Sequence, residues 1–200
     1  KIKHFIYAST SSVYGDSKKF PTKENNNTDF PLSFYAASKK SNEVMAYSYS
    51  NIYKLKTTGL RFFTVYGPYG RPDMALFKFT KNILHNKKID LYNNGNLFRD
   101  FTYIDDVITG INKIINIKAD KKIPYNIFNI GSNNPKSLKF FLKLIEKKLN
   151  IKIKINYLPM QKGDVFKTHA SISKLKNYKP SINLEEGINK FIDWYLNHYK

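Results

Sequence analysis

Ser33-Phe34-Tyr35-Ala36-Ala37-Ser38-Lys39 is the stretch from which the fold is read. Ser33 suits a helix N-cap, and the residues after it carry a helix to about Asn51. On such a helix Tyr35 and Lys39 share one face, a turn apart. An ammonium beside a phenol favours the phenolate and lowers the tyrosine pKa from its ordinary value near about 10. A phenol tuned this way can take a proton from a sugar or alcohol hydroxyl near neutral pH. Spacing alone is weak in a chain with 15 tyrosines and 34 lysines and arginines. A second pair, Tyr14 and Lys18, straddles Gly15 in a polar run and reads as loop.

The flanks of this helix decide the class. Lys1 to Ala8 reads as a short buried strand that runs into Ser9-Thr10-Ser11-Ser12-Val13-Tyr14-Gly15, a hydroxyl-rich strand end and turn. Residues 16–32, with Pro21, three consecutive asparagines and Pro31, form a long loop. Gly59 to Val65 is a second buried strand, ended by Tyr66-Gly67-Pro68. Strand, helix and strand in alternation indicate a parallel α/β layer. In open α/β sheets ligands sit beyond the carboxyl ends of the strands, where this serine and threonine run would lie. Serine and glycine also favour simple turns.

Further along, the pattern predicts a helix from Met74 to Asn86, a strand from Ile89 to Tyr92 and a turn at Asn93-Asn94-Gly95-Asn96. A helix from about Asp105 to Lys118 and a strand from Tyr125 to Ile130 follow. Leu138 to Leu149 reads as an amphipathic helix, Ile151 to Leu158 as a strand, and Glu185 to Tyr199 as a terminal helix. Gly163-Asp164-Val165 sits in a loop.

The composition is globular, with 42% apolar and 16% aromatic residues, enough for a sizeable core. No apolar run approaches the roughly 18 residues of a membrane span, and no signal peptide is visible. The absence of cysteine excludes a disulfide framework and a thiolate metal site. Cytoplasm is the default location. The net charge of +19 suggests a nucleic-acid or anionic surface, but the lysines are spread along the whole chain. Lysine, asparagine and isoleucine are inflated together, as AT-rich coding produces. The arginines number three: Arg61, Arg71 and Arg99. In so lysine-rich a chain they suggest a need for the planar guanidinium fork, for phosphate or carboxylate. Arg61, inside an apolar stretch, reads instead as a packing or stacking residue. His4, His85, His169 and His198 have no metal spacing and read as structural.

With Thr10-Ser11-Ser12-Val13-Tyr14-Gly15, Tyr35-x-x-x-Lys39, Leu60-Arg61-Phe62-Phe63-Thr64-Val65-Tyr66-Gly67-Pro68, Arg99-Asp100-Phe101 and Gly163-Asp164 in this order, the chain resembles the extended short-chain dehydrogenase/reductase family of nucleotide-sugar epimerases and dehydratases. The run through Gly70-Arg71-Pro72-Asp73-Met74-Ala75-Leu76-Phe77 is similar to its UDP-glucuronate 4-epimerase subfamily. The glycine-rich turn with which that family holds the NAD pyrophosphate is absent. The chain therefore reads as a C-terminal fragment, expected to be inactive alone. The resemblance implies the second half of a doubly wound (Rossmann) parallel sheet with a small α/β substrate lobe. Residues 1–68 and 99–134 would form the sheet layer, and 69–98 with 135–200 the lobe.

The resemblance also implies roles. Tyr35 would be the catalytic acid/base, and Lys39 would bind the nicotinamide ribose and lower the Tyr35 pKa. Thr10 would relay the proton of the sugar 4-hydroxyl. Ser9 and Phe63 would contact the cofactor. Ser11, Ser12 and Thr64 would contact the sugar, Arg71 and Arg99 the diphosphate or acid group, Tyr92 the uracil, and Asp164 the nucleotide ribose. The implied cofactor is NAD, the implied partner a UDP-sugar, and the implied assembly a homodimer, with no nucleic acid and no membrane. The implied reaction inverts C4 of UDP-glucuronate to give UDP-galacturonate through a 4-keto sugar. Dehydratases of the family carry Asp-Glu after Thr10, and decarboxylases a Glu before Val-Tyr-Gly. The hydroxyls of Ser11 and Ser12 cannot do that acid/base work. Alternatives are a UDP-glucose 4-epimerase, another dehydratase or decarboxylase, and, outside enzymes, an inactive remnant or a basic binding protein.

Overall fold

The computed structural model describes residues 2–118 and 122–199. Lys1, Ala119, Asp120, Lys121 and Lys200 lie outside the described residues, including the first residue of the strand expected from Lys1. Three strands make the central sheet in the order β1 (Phe5–Thr10), β2 (Thr57–Phe62), β7 (Tyr125–Ile130), all parallel. Thr10 is level with Phe62, and Phe62 with Ile130, so the carboxyl ends of all three strands reach one edge. The connection from β1 to β2 runs through α1 (Phe34–Tyr53), which packs on the sheet. That is the crossover unit the strand–helix–strand pattern predicts.

The strand expected over Gly59–Val65 is two strands. β2 ends at Phe62, and β3 (Thr64–Tyr66) pairs instead with β6 (Phe101–Tyr103). The break sits at Phe63, whose N–H goes to Ile130 O at 2.9 Å, whereas the next N–H, of Thr64, goes to Asp100 O at 3.0 Å. The backbone thus hands its hydrogen bonds from one sheet to another within one residue. The first strand also runs two residues further than expected, and Ser11–Tyr14 forms a 3-10 turn.

The remaining elements are α2 (Ala75–Leu84), β4 (Ile89–Tyr92), β5 (Phe98–Arg99), α3 (Ile104–Ile115), β8 (Lys136–Ser137), α4 (Leu138–Leu149), β9 (Ile155–Leu158) and α5 (Leu184–His198). The last strand is shorter than its alternating pattern, with pairing to β4 starting at Ile155. β5 and β8 pair antiparallel.

Apolar side chains gather in three places. The largest cluster joins Leu76, Phe77 and Phe79 of α2, Phe141, Leu142 and Ile145 of α4, and Ile188, Phe191 and Ile192 of α5. Each set recurs at helical spacing, so one stripe of each helix faces the others. A second cluster joins Leu60, Phe128 and Ile130 of the sheet to Val107 and Ile114 of α3. Leu175 and Tyr178, from the stretch expected in the lobe, pack into this second cluster. The third is small: Val13, Tyr14, Phe63 and Ala170, at the sheet's carboxyl edge.

The loop of residues 16–32 is tied down there. Thr22 N–H donates to His169 O at 2.8 Å, Ser171 N–H to Thr22 O at 2.9 Å, and Asn129 Nδ2 to Thr22 O at 2.9 Å. Gly15 begins it at φ +55°, and a Cβ there would clash with Phe30 O. Only glycine combines that backbone angle with so close an approach.

Candidate active site

Helix α1 starts where its sequence says it should. Ser33 Oγ accepts from Ala36 N–H at 3.2 Å, satisfying a donor that a helix start leaves free. This places Tyr35 in the first turn, level with the sheet's carboxyl edge. Tyr35 is 53% exposed, so its phenol is open to a ligand rather than held in the core. Lys39 follows one turn on. Its ammonium lies 6.0 Å from the Tyr35 ring centroid and donates to Ala8 O on β1 at 3.1 Å. Among the described residues Ala8 O is its hydrogen-bond acceptor, which leaves two N–H bonds for a ligand.

The rival pair is different in kind. Tyr14 is 7% exposed, donates to Asn129 Oδ1 at 2.6 Å, and burial pushes its pKa up to about 12. Lys18 pairs with Asp16 at 2.7 Å in solvent. A buried tyrosine with a raised pKa is a poor base at neutral pH.

Thr10 closes β1, nearly buried. It donates to Ser12 Oγ and accepts from Ser12 N–H, both at 3.2 Å. These bonds turn Ser11 and Ser12 into a small cavity of about 80 Å³ that Phe63, Phe20, Asp164, Lys167 and Thr168 also line. Small-molecule sites span about 300–1,000 Å³, so this cavity is the size of one end of a ligand. Phe63 is buried beside Tyr14 and Val13, with one side on the cavity.

Asp164 enters from the loop after β9. Gly163 sits at φ +80°, and a Cβ there would meet Leu32 O at 3.2 Å, which explains glycine in Gly163-Asp164. Asp164 Oδ1 accepts from Arg99 Nη2 at 2.7 Å and from Val165 N–H at 2.8 Å. Arg99 also donates to Phe98 O at 2.8 Å. Burial lowers the Arg99 pKa, with Asp164 opposing. Two residues expected to touch the same nucleotide are thus brought together across 65 positions of sequence.

Thr10, Tyr35, Lys39 and Arg99 border the cavity region without lining the cavity itself, and Arg71 lies within electrostatic range of Tyr35. Arg71 is exposed, its side chain 72% accessible, and is paired bidentately with Asp73 at 2.7 and 3.1 Å. It does not line the cavity. Thr64 and Tyr92 are half-buried and also outside it. Ser9, expected against the cofactor, turns its hydroxyl inward to Glu43 Oε1 at 2.5 Å. That bond takes its proton away from the cleft. Arg61 is the packing residue its apolar setting suggested, with Nε and Nη2 each 2.8 Å from Glu43 and its guanidinium 4.7 Å from the Tyr14 ring centroid. Glu43 is the residue that reading individual motifs missed. Its position one turn past Lys39 was the available signal. Among the described residues no group of three or more His, Asp or Glu could hold a metal, and no helix is long and apolar enough to cross a membrane.

The family signature described as the NAD dependent epimerase/dehydratase family matches residues 1–131. "Protein CapI" of Staphylococcus aureus is 48% identical over 100% of this chain and 65% of its own length. "Probable UDP-glucuronate 4-epimerase" of Rhizobium meliloti is 44% identical over 99% of this chain and 63% of its own. Among solved structures, the UDP-glucuronic acid 4-epimerase of Bacillus cereus, in complex with UDP-glucuronic acid and NAD, superposes on 100% of this chain with a TM-score of 0.92 at 34% identity. This chain covers 63% of that one, and so spans less than two thirds of the relatives it matches. With its Rossmann-type parallel sheet and these relatives, the chain belongs to the NAD dependent epimerase/dehydratase family.

Proposed function

We propose that these residues serve an NAD-dependent 4-epimerase of UDP-sugars, acting on UDP-glucuronate to give UDP-galacturonate. The observation that carries this reading is the exposed Tyr35 beside Lys39, whose ammonium is anchored on Ala8 at the sheet's carboxyl edge. Tyr35 and Lys39 fit NAD: the ammonium has donors to spare for a ribose hydroxyl and the phenol stands open beside it. When bound, NAD supplies the acceptor and donor of a hydride at C4.

Tyr35 would take the proton of the 4-hydroxyl and hold it while the sugar is a 4-keto compound. It would return that proton once the sugar has turned to present its other face. Thr10, linked to Ser12, holds the hydroxyl in line for that transfer. Ser11 and Ser12 meet the sugar at its C6 end. Arg99 and Asp164 take the nucleotide side, Arg99 sharing its charge between Asp164 and phosphate. Ser11 and Ser12 favour inversion over dehydration or decarboxylation, because hydroxyls cannot supply the acid and base those reactions need, and both line the cavity. Asp164 is the carboxylate among its lining residues, and it is already paired with Arg99. Among the described residues that line the cavity there is no second carboxylate.

Substrate preference tests the reading in a full-length enzyme, one that carries this chain and has the length of these relatives. A carboxylate at C6 offers the Ser11 and Ser12 hydroxyls two charged oxygens where a CH₂OH offers one neutral oxygen, and hydrogen bonds to a charged group are worth about 1.5–3 kcal/mol against about 0.5–1.5 for a neutral one. The expected result is at least about a tenfold higher kcat/KM for UDP-glucuronate than for UDP-glucose. Equal or better turnover of UDP-glucose would move the enzyme to glucose epimerisation. It would leave the Tyr35 chemistry standing.

A further inference from the structure

Glu43 is a buried carboxylate that none of the steps above uses. Its side chain is 4% exposed and accepts three hydrogen bonds: from Ser9 Oγ at 2.5 Å, and from Arg61 Nε and Nη2 at 2.8 Å each. Ser9 belongs to β1 and Arg61 to β2, while Glu43 belongs to α1, so one carboxylate joins the helix to two strands. Arg61 extends the joint to Glu24 O at 2.9 Å and to the Tyr14 ring.

The placement along the helix is what matters. Positions 35, 39 and 43 form one stripe, each a turn from the next. Against that stripe lies the end of β1. Lys39 holds Ala8 O, and Glu43 holds Ser9. The next strand residue is Thr10. We propose that Glu43 is a positioning residue for the reaction: by holding Ser9 and Arg61 together, it fixes the rotation and height of α1 at which Tyr35 meets a sugar hydroxyl held by Thr10. The proposal rests on the reading of Tyr35 as the base.

The Lys39 bond alone is a weak anchor, since it is exposed and ends a long flexible side chain. A buried carboxylate held by the planar fork of a guanidinium and by a hydroxyl is a rigid one. Apolar side chains of the same volume would hold a helix on a sheet about as firmly. They would not index it to Ser9, one residue from Thr10. An error of about 1 Å in placing a reacting group costs up to about a hundredfold in rate.

A double-mutant cycle in the full-length enzyme tests this, using Glu43→Gln, Ser9→Ala and Tyr35→Phe. Glu43→Gln is expected to lower kcat by about 10- to 100-fold with KM within about twofold, and to cause no further loss in the Tyr35→Phe background. Ser9→Ala leaves the Glu43–Arg61 pair standing and is expected to do the same by about three- to tenfold. It decides the matter if Glu43→Gln does not fold. The same fold-loss with and without Tyr35 would overturn the proposal, as would unchanged kcat in a folded Glu43→Gln or Ser9→Ala. Wild-type turnover in Tyr35→Phe alone would overturn the base reading and this proposal with it. Additive losses beside an inactive Tyr35→Phe would overturn this proposal only.

Discussion

Tyr35→Phe is expected to lower kcat of the full-length enzyme by about two to four orders of magnitude, the usual scale for loss of a general acid or base. The change removes one oxygen from a ring that is 53% exposed and has no packing duty that phenylalanine could not fill. Its effect should therefore appear in kcat with little change in thermal stability. The alternative tyrosine at the same spacing, Tyr14, is buried and bonded to Asn129. Tyr14→Phe would unpair the Asn129 acceptor and disturb the fold rather than the chemistry. Near wild-type turnover in Tyr35→Phe would remove Tyr35 from the mechanism.

Arg61→Met is expected to destabilise the chain by about 3–5 kcal/mol, because it leaves the Glu43 carboxylate buried without its charge partner. The two side chains are 5% and 4% exposed, so water does not screen the loss. The guanidinium also covers the Tyr14 ring and holds the 16–32 loop through Glu24 O. Urea unfolding of the chain measures the effect as a lower midpoint at unchanged slope. A change under about 1 kcal/mol would show that Glu43 finds another partner. Exposed pairs such as Arg71–Asp73 provide the contrast, since surface ion pairs contribute about 0–1 kcal/mol.

Local patterns carried most of the secondary structure. Ser33 capping α1, the alternation around β1 and β2, and the apolar stripes of α4 and α5 are decided by a few neighbouring residues. The break at Phe63 was not legible, because nothing within Leu60-Arg61-Phe62-Phe63-Thr64-Val65 distinguishes one strand from two. The distinction lies in which distant strand supplies partners, Ile130 before the break and Asp100 after it. Site residues divide in the same way. Tyr35 and Lys39 are local to one helix and could be read directly. The meeting of Arg99 with Asp164 spans 65 positions, and only the motif resemblance linked them. Arg71 looked like a phosphate or carboxylate ligand by residue type, yet Asp73, two residues away, holds its guanidinium. Glu43 was hidden for the opposite reason. A charged residue on a helix reads as solvated until the sheet places Ser9 and Arg61 against it.

The proposed reaction is inversion at C4 by Tyr35 without elimination or decarboxylation. Product analysis tests it most directly. UDP-glucuronate is incubated with the full-length enzyme and NAD, and the nucleotide sugars are separated by chromatography and identified by mass. The expected result is a mixture of UDP-glucuronate and UDP-galacturonate, of equal mass, reached from either side. A UDP-pentose with release of carbon dioxide, or a product lighter by one water, would contradict it.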